Sequence, residues 1–100
     1  MANIAKLSDQ EIQARLGKLA GWTVSQGKIH REYKFADFVH AFGFMASAAV
    51  QAEALAHHPE WSNVWNRVTV DLTTHDAGGI TEKDFELAAA MESIARKLAG

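Results

Sequence analysis

Hydrophobic residues recur along this chain with two different spacings, and the switches between them mark out its elements in turn. Ile12, Leu16 and Leu19 share one face of a helix. Ser8 and Glu11 can form a capping box at its start, Leu7 can pack on Ile12, and Gly21 is expected to end it. Residues 22–24 and 29–35 then read as strands joined by a hairpin through Ser25, Gln26, Gly27 and Lys28. Ile29, Arg31, Tyr33 and Phe35 alternate with His30, Glu32 and Lys34. Arg31 on the apolar side suits a position at the sheet rim. Asp37 opens a second helix, expected to reach about Ala56, with Phe38, Phe42, Met45, Ala49, Ala52 and Leu55 in one stripe. Residues 61–65 and 68–73 form a second strand pair, turning at Asn66. There Val68, Val70 and Leu72 alternate with Arg67, Thr69, Asp71 and Thr73. After the Gly78-Gly79 break, Thr81 and Asp84 repeat the capping-box logic, Ile80 faces Phe85, and Phe85, Ala88, Met91, Ala95 and Leu98 supply a core stripe.

The order α-β-β-α-β-β-α predicts an α+β fold: a four-stranded, mainly antiparallel sheet with helices on one face, in a single domain over residues 1–100. The second helix departs from simple amphipathicity. Phe44, Ala46, Ala48 and Val50 make its other side apolar as well, and Gly43, Ala46, Ser47 and Ala48 permit close approach. A helix apolar on two sides is expected to be covered twice, by its own sheet and by another subunit. Trp22 and Trp65 are expected in the core.

Composition narrows the function classes. With 48% hydrophobic residues and 1 proline, the chain has the means to fold. It has 0 cysteines, which removes disulfides, thiolate nucleophiles and cysteine metal sites and makes a reducing compartment the default. A net charge of -2 with scattered basic residues argues against a phosphate-facing patch. The apolar run 41–50 is about half a membrane span, and no leader pattern is present, so the chain reads as soluble and cytoplasmic.

The chemistry gathers between residues 53 and 84. His57 and His58 end the second helix, and Pro59 excludes the α region at His58. His75 follows an alternating strand and precedes Gly78-Gly79, which places it at a strand end. Imidazoles exchange protons near neutral pH, so such a cluster suits acid–base work. Any one of these histidines alone would more often be structural or solvated. A metal site is disfavoured, since adjacent histidines rarely turn both rings onto one ion and no helical His-x-x-x-His pair occurs. Glu53, four residues before His57, is placed to support its imidazole, and Asp84 is explained by its cap.

The spaced set Glu53, His57-His58-Pro59, Trp65, His75 and Asp84 resembles the signature of the pterin-4a-carbinolamine dehydratases. The runs Ala41-Phe42-Gly43-Phe44-Met45, Gln51-Ala52-Glu53, Pro59-Glu60-Trp61, Asn63-Val64 and Thr74-His75 extend the likeness over nearly the whole chain. The resemblance implies dehydration of a 4a-hydroxytetrahydropterin to the quinonoid dihydropterin, recycling the pterin of aromatic amino-acid hydroxylases without metal or cofactor. It implies catalysis by His57, His58 and His75, with His57 and His75 exchanging protons and His58 orienting the pterin. Pro59 and the backbone of Thr74, His75, Asp76 and Ala77 would line the same pocket, with Glu53 and Asp84 in support. It also implies a homodimer or homotetramer built through a sheet edge and the second helix, with no direct nucleic-acid binding. Because the family includes a dimerisation cofactor of a homeodomain transcription factor, an oligomerisation or coactivator module is the alternative.

Overall fold

The computed structural model describes residues 4–99. Helix α1 (Asp9–Leu16) begins as its sequence dictates: Ser8 Oγ accepts from the Glu11 N–H, and Glu11 Oε1 accepts from the Ser8 N–H at 2.8 Å. It stops at Gly17, short of the expected Gly21, because glycine adds entropy cost and no side chain to hold another turn. Gly21 has a different task. Its φ is +93°, and a Cβ there would lie 2.7 Å from the Arg31 guanidinium, so only glycine brings Trp22 into the core here.

Strands β1 (Thr23–Ser25) and β2 (Lys28–Lys34) are joined by Gln26 and Gly27, both at positive φ, the twist that suits a two-residue hairpin. Helix α2 (Phe38–Ala54) starts where the Asp37 side chain accepts from the His40 N–H. Strands β3 (Glu60–Val64) and β4 (Arg67–Leu72) follow, then a 3-10 turn (His75–Ala77) and helix α3 (Glu82–Leu98). All strand pairs are antiparallel, in the order β1-β2-β4-β3. The expected α+β architecture and element order are those observed.

Register explains the layers. Ile29 pairs with Leu72, Tyr33 with Val68 and Trp61 with Val70, so these side chains share the face against which α2 and α3 pack. His30, Glu32, Lys34, Thr69 and Asp71 alternate onto the outer face. Arg31 points to the helix side of β2, an interior strand and not the rim. It is held there by Glu92 of α3 at 3.0 Å and lies 4.3 Å over the Tyr33 ring, which replaces its hydration.

Two expectations are corrected. The buried line of α2 is Ala41, Phe44, Ala48 and Ala52, whereas Phe38 and Phe42, the two large aromatics of the expected core stripe, face outward with Phe42 56% exposed. Burying Phe44 fully is worth about 1.5–3 kcal/mol, and small alanines on its face let α2 lie close to the sheet. Trp65 is not core: with Asn66 it makes the β3–β4 turn at φ +50°, so its ring has no strand face to occupy and is 65% exposed. Asn66, the expected turn residue, is buried and donates from Nδ2 to the Phe35 carbonyl at 2.9 Å. Among the described residues no helix is long and apolar enough to cross a membrane.

Candidate functional site

The end of α2 aims the first histidine. Ala56 takes φ +52°, the His57 N–H reaches back to the Ala52 carbonyl at 3.0 Å, and the Ala56 N–H bonds the Glu53 carbonyl at 3.1 Å. This is a Schellman termination with alanine where glycine is usual. Its left-handed residue carries steric strain, of the kind that persists where surrounding structure over-determines the backbone. The turn rotates His57 into the interior, where it is 8% exposed. His58, biased away from the α region by the following Pro59, stays on the surface.

The third histidine comes from the other side of the sheet's end. Past β4, Thr74 and Gly79 form an isolated bridge, and His75 opens the 3-10 turn enclosed by it. A cleft of about 240 Å³ lies between these segments, lined by Ala56, His57, His58, Thr73, Thr74, His75 and Asp76. The adjacent His57 and His58 thus share one cleft with His75, which is distant from them in sequence. Pro59 and Ala77 are not among its lining residues. Pro59 leads the chain into β3, and Ala77 is the last residue of the 3-10 turn. A larger concavity of about 440 Å³ on the outer sheet face, bordered by Glu32, Lys34, Trp65 and Arg67, contains no imidazole.

Each of the three rings has its own carboxylate. His57 Nε2 lies 2.5 Å from Asp84 Oδ1. His58 Nε2 lies 2.8 Å from Glu53 Oε1, and His75 Nε2 lies 3.0 Å from Glu60 Oε2. The expected pairing of Glu53 with His57 is therefore corrected. The i,i+4 rule holds within a helix, and the Schellman turn intervenes after Ala54, bringing His58 beside Glu53 instead.

Asp84 does more than cap α3. Its side chain is fully buried, and Oδ2 accepts both the Thr81 N–H of the capping box and the Thr74 hydroxyl, each at 2.9 Å. Thr74 spends its proton on Asp84, so the Thr81 hydroxyl donates to Thr74 Oγ1 across 2.8 Å. A buried carboxylate needs such partners. As an acceptor only, it also fixes the His57 tautomer: Nε2 carries the proton and Nδ1 is left as the free lone pair. A histidine so held resembles the base of a catalytic triad in its physics.

Around His75 the pairing lies at the surface. Glu60 Oε1 also meets Lys28 Nζ at 2.5 Å. The hydrogen bonds from Lys28 and then His75 hold the Glu60 carboxyl below its ordinary range, and the same contact holds Lys28 above its own. Reading the sequence did not single out Glu60. Alternation on β3 places it on the outer face, yet nothing in a sequence reveals which side chain lies across two strands. Among the described residues, no cluster of three or more histidine, aspartate or glutamate side chains is arranged to hold a metal ion.

Comparison with known proteins returns one consistent set of relatives. The family model described as pterin 4 alpha carbinolamine dehydratase matches residues 5–94. A protein of Solibacter usitatus (strain Ellin6076), provisionally named pterin-4-alpha-carbinolamine dehydratase, is 67% identical over 90 residues, covering 90% of this chain and 95% of its own. A relative of the same provisional name from Rhizobium leguminosarum bv. trifolii (strain WSM2304) is 53% identical over 94 residues, covering 92% and 93%. Among solved structures, a Brucella melitensis protein described as a transcriptional coactivator/pterin dehydratase superposes with a TM-score of 0.87 at 49% identity, over 90% of this chain and 98% of that one.

Proposed function

The chain belongs to the pterin 4 alpha carbinolamine dehydratase family, which makes it a hydro-lyase, and we propose that His57, His58 and His75 carry its reaction by proton transfer. The substrate is a 4a-hydroxytetrahydropterin. The bond from C4a to the hydroxyl oxygen breaks, and an imidazolium supplies the proton with which that oxygen leaves as water. A second, neutral imidazole takes the proton from N5, whose electron pair forms the new double bond to C4a. One proton is given and one is taken, so the pair of histidines returns to its starting charge through exchange with each other or solvent. Positioned groups of this kind each contribute about 100- to 10,000-fold.

The single observation behind this reading is the cleft that three carboxylate-paired imidazoles share. The tautomer imposed by Asp84 suits His57 to the base role through Nδ1, and the exposed His58 and His75 suit contact with an entering heterocycle. A 4a-hydroxytetrahydropterin is what a tetrahydropterin-dependent hydroxylase leaves behind, so the activity would return that cofactor to its cycle. The test is a direct spectrophotometric assay on freshly generated 4a-hydroxytetrahydropterin. The wild-type chain should accelerate dehydration, and His57→Ala and His75→Ala should each lose at least about 100-fold while retaining the far-UV spectrum of the fold. Full rates in both variants would remove the histidines from the mechanism.

A second reading concerns binding. Phe38, Val39, Phe42 and Val50 of α2 are exposed and apolar, and the Brucella melitensis relative is described as a coactivator as well as a dehydratase. The same surface can serve a homodimer, a homotetramer or the helix of a partner protein. This role would be independent of the histidine cleft and compatible with it.

A further inference from the structure

His75 is the least restrained of the three rings. It stands on a three-residue 3-10 turn and is largely exposed, and among the described residues its side chain bonds Glu60 alone. Glu60 itself is restrained. It lies on β3, whereas Lys28 lies on β2, and β4 runs between them. The Lys28 side chain crosses that strand to bond Glu60 Oε1, while Oε2 stays on His75. Lysine is long enough to bridge strands two spacings apart, roughly 9–10 Å. The result is a chain of contacts from the sheet to the exposed end of the cleft. Each single contact is a surface ion pair and adds little to folding stability. Its effect is therefore to be sought in the orientation of the ring.

We propose that Glu60, anchored by Lys28, is a positioning residue for His75: its Oε2 accepts the Nε2 proton and turns Nδ1 to the cleft. The inference rests on the dehydratase reading for its kinetic consequence, but not for its structural one. Other charged groups near this end of the sheet are Asp71, paired in register with Glu60, His30, which bonds Asp71, and Asp76, which follows His75. The Asp71 side chain is engaged by His30 at 2.8 Å, and Glu60 alone among these carboxylates bonds His75.

The experiment combines kinetics with a readout that needs no turnover. Three-bond NMR couplings report whether the His75 side chain occupies one χ1 rotamer or averages over several. The wild-type protein should show one dominant rotamer, and Glu60→Ala should show averaging. In the dehydration assay Glu60→Ala should lower kcat about threefold to tenfold with KM changed less than about twofold, since orientation and not binding is lost. Glu60→Gln, which keeps an acceptor oxygen, should recover part of the rate, and Lys28→Met should give a smaller loss of the same kind. Made on top of His75→Ala, Glu60→Ala should change the residual rate by less than about twofold, because its effect passes through that ring. A single unchanged rotamer in Glu60→Ala, or a full extra loss in the double variant, overturns the proposal. If the wild-type chain fails to dehydrate the carbinolamine, the functional reading falls, and the couplings still decide whether Glu60 positions His75.

Discussion

Between His57 and Asp84 a few atoms determine which ring nitrogen can act. Asp84 presents oxygen to three donors: His57 Nε2 on one side, and the Thr74 hydroxyl and Thr81 amide on the other. An asparagine would satisfy only one side. Its oxygen would serve Thr74 and Thr81, its NH2 would face His57, and the ring would have to accept there and move its proton to Nδ1. Asp84→Asn should therefore cut kcat on the order of 100-fold or more with little change in KM, the pattern of an interaction made in the transition state. It should also lower stability by about 1–3 kcal/mol through imperfectly met buried donors. Ring 15N chemical shifts report the tautomer. Retention of the Nε2–H form in Asp84→Asn would refute the assignment, whatever the rate. The histidines of this site were legible as residue types in the sequence. Their partners were less so: Asp84 lies 27 positions from His57, its local pattern reads as a cap and the family resemblance alone gave it a supporting role, and the Glu53 spacing pointed to the wrong ring because Ala56 conceals a Schellman turn that glycine would have announced.

The helices were read with unequal success, and the reason is phase. α1 and α3 carry capping boxes and well-separated apolar stripes, so their starts and inward faces follow from the sequence. α2 is apolar nearly all round, and a period of 3.6 in such a segment does not say which face meets the sheet. The decisive contacts came from small residues, Ala41, Ala48 and Ala52, rather than from the large Phe38 and Phe42. α3 is tied to the sheet by one polar anchor. Glu92 Oε1 accepts from Trp22 Nε1 at 2.7 Å, Tyr33 Oη at 2.8 Å and Arg31 Nε at 3.0 Å. Burial alone would raise the Glu92 carboxyl, but these hydrogen bonds outweigh it and hold it below its ordinary range. A carboxyl depressed in the folded state contributes stability that is present above its unfolded pKa, near 4.5, and lost as pH falls through the lower folded value. Glu92→Ala should lower stability at neutral pH by on the order of 2 kcal/mol, roughly 8–16 °C in Tm, by stranding its donors. It should also flatten the fall of Tm between about pH 5 and pH 3 relative to wild type. Parallel Tm–pH curves for the two proteins would show that Glu92 is not the anchor described.

Across the whole molecule, apolar surface is distributed unevenly. The core side of the sheet is closed by α2 and α3, yet α2 turns Phe38, Val39, Phe42 and Val50 outward, with Phe38 and Phe42 in contact at a centroid distance of 5.9 Å. A patch of this kind on a monomer is costly to leave in water and favours association. We expect the chain to form a homodimer or homotetramer that covers it, the surface the sequence indicated by having two apolar sides on one helix, although it assigned Phe38 and Phe42 to the wrong one. Phe42→Lys should shift the sedimentation profile towards monomer, because a lysine at the centre of the stripe would carry its charge into the contact. The histidine cleft lies beyond the far end of α2, some 12 residues of helix away from Phe42 and therefore roughly 18 Å along its axis. The dehydration rate per chain should thus change by less than about twofold while the assembly comes apart. A wild-type chain that sediments as a monomer at high micromolar concentration would leave this stripe without a self-partner. It would then favour a foreign helix as its cover, which Phe42→Lys would also repel.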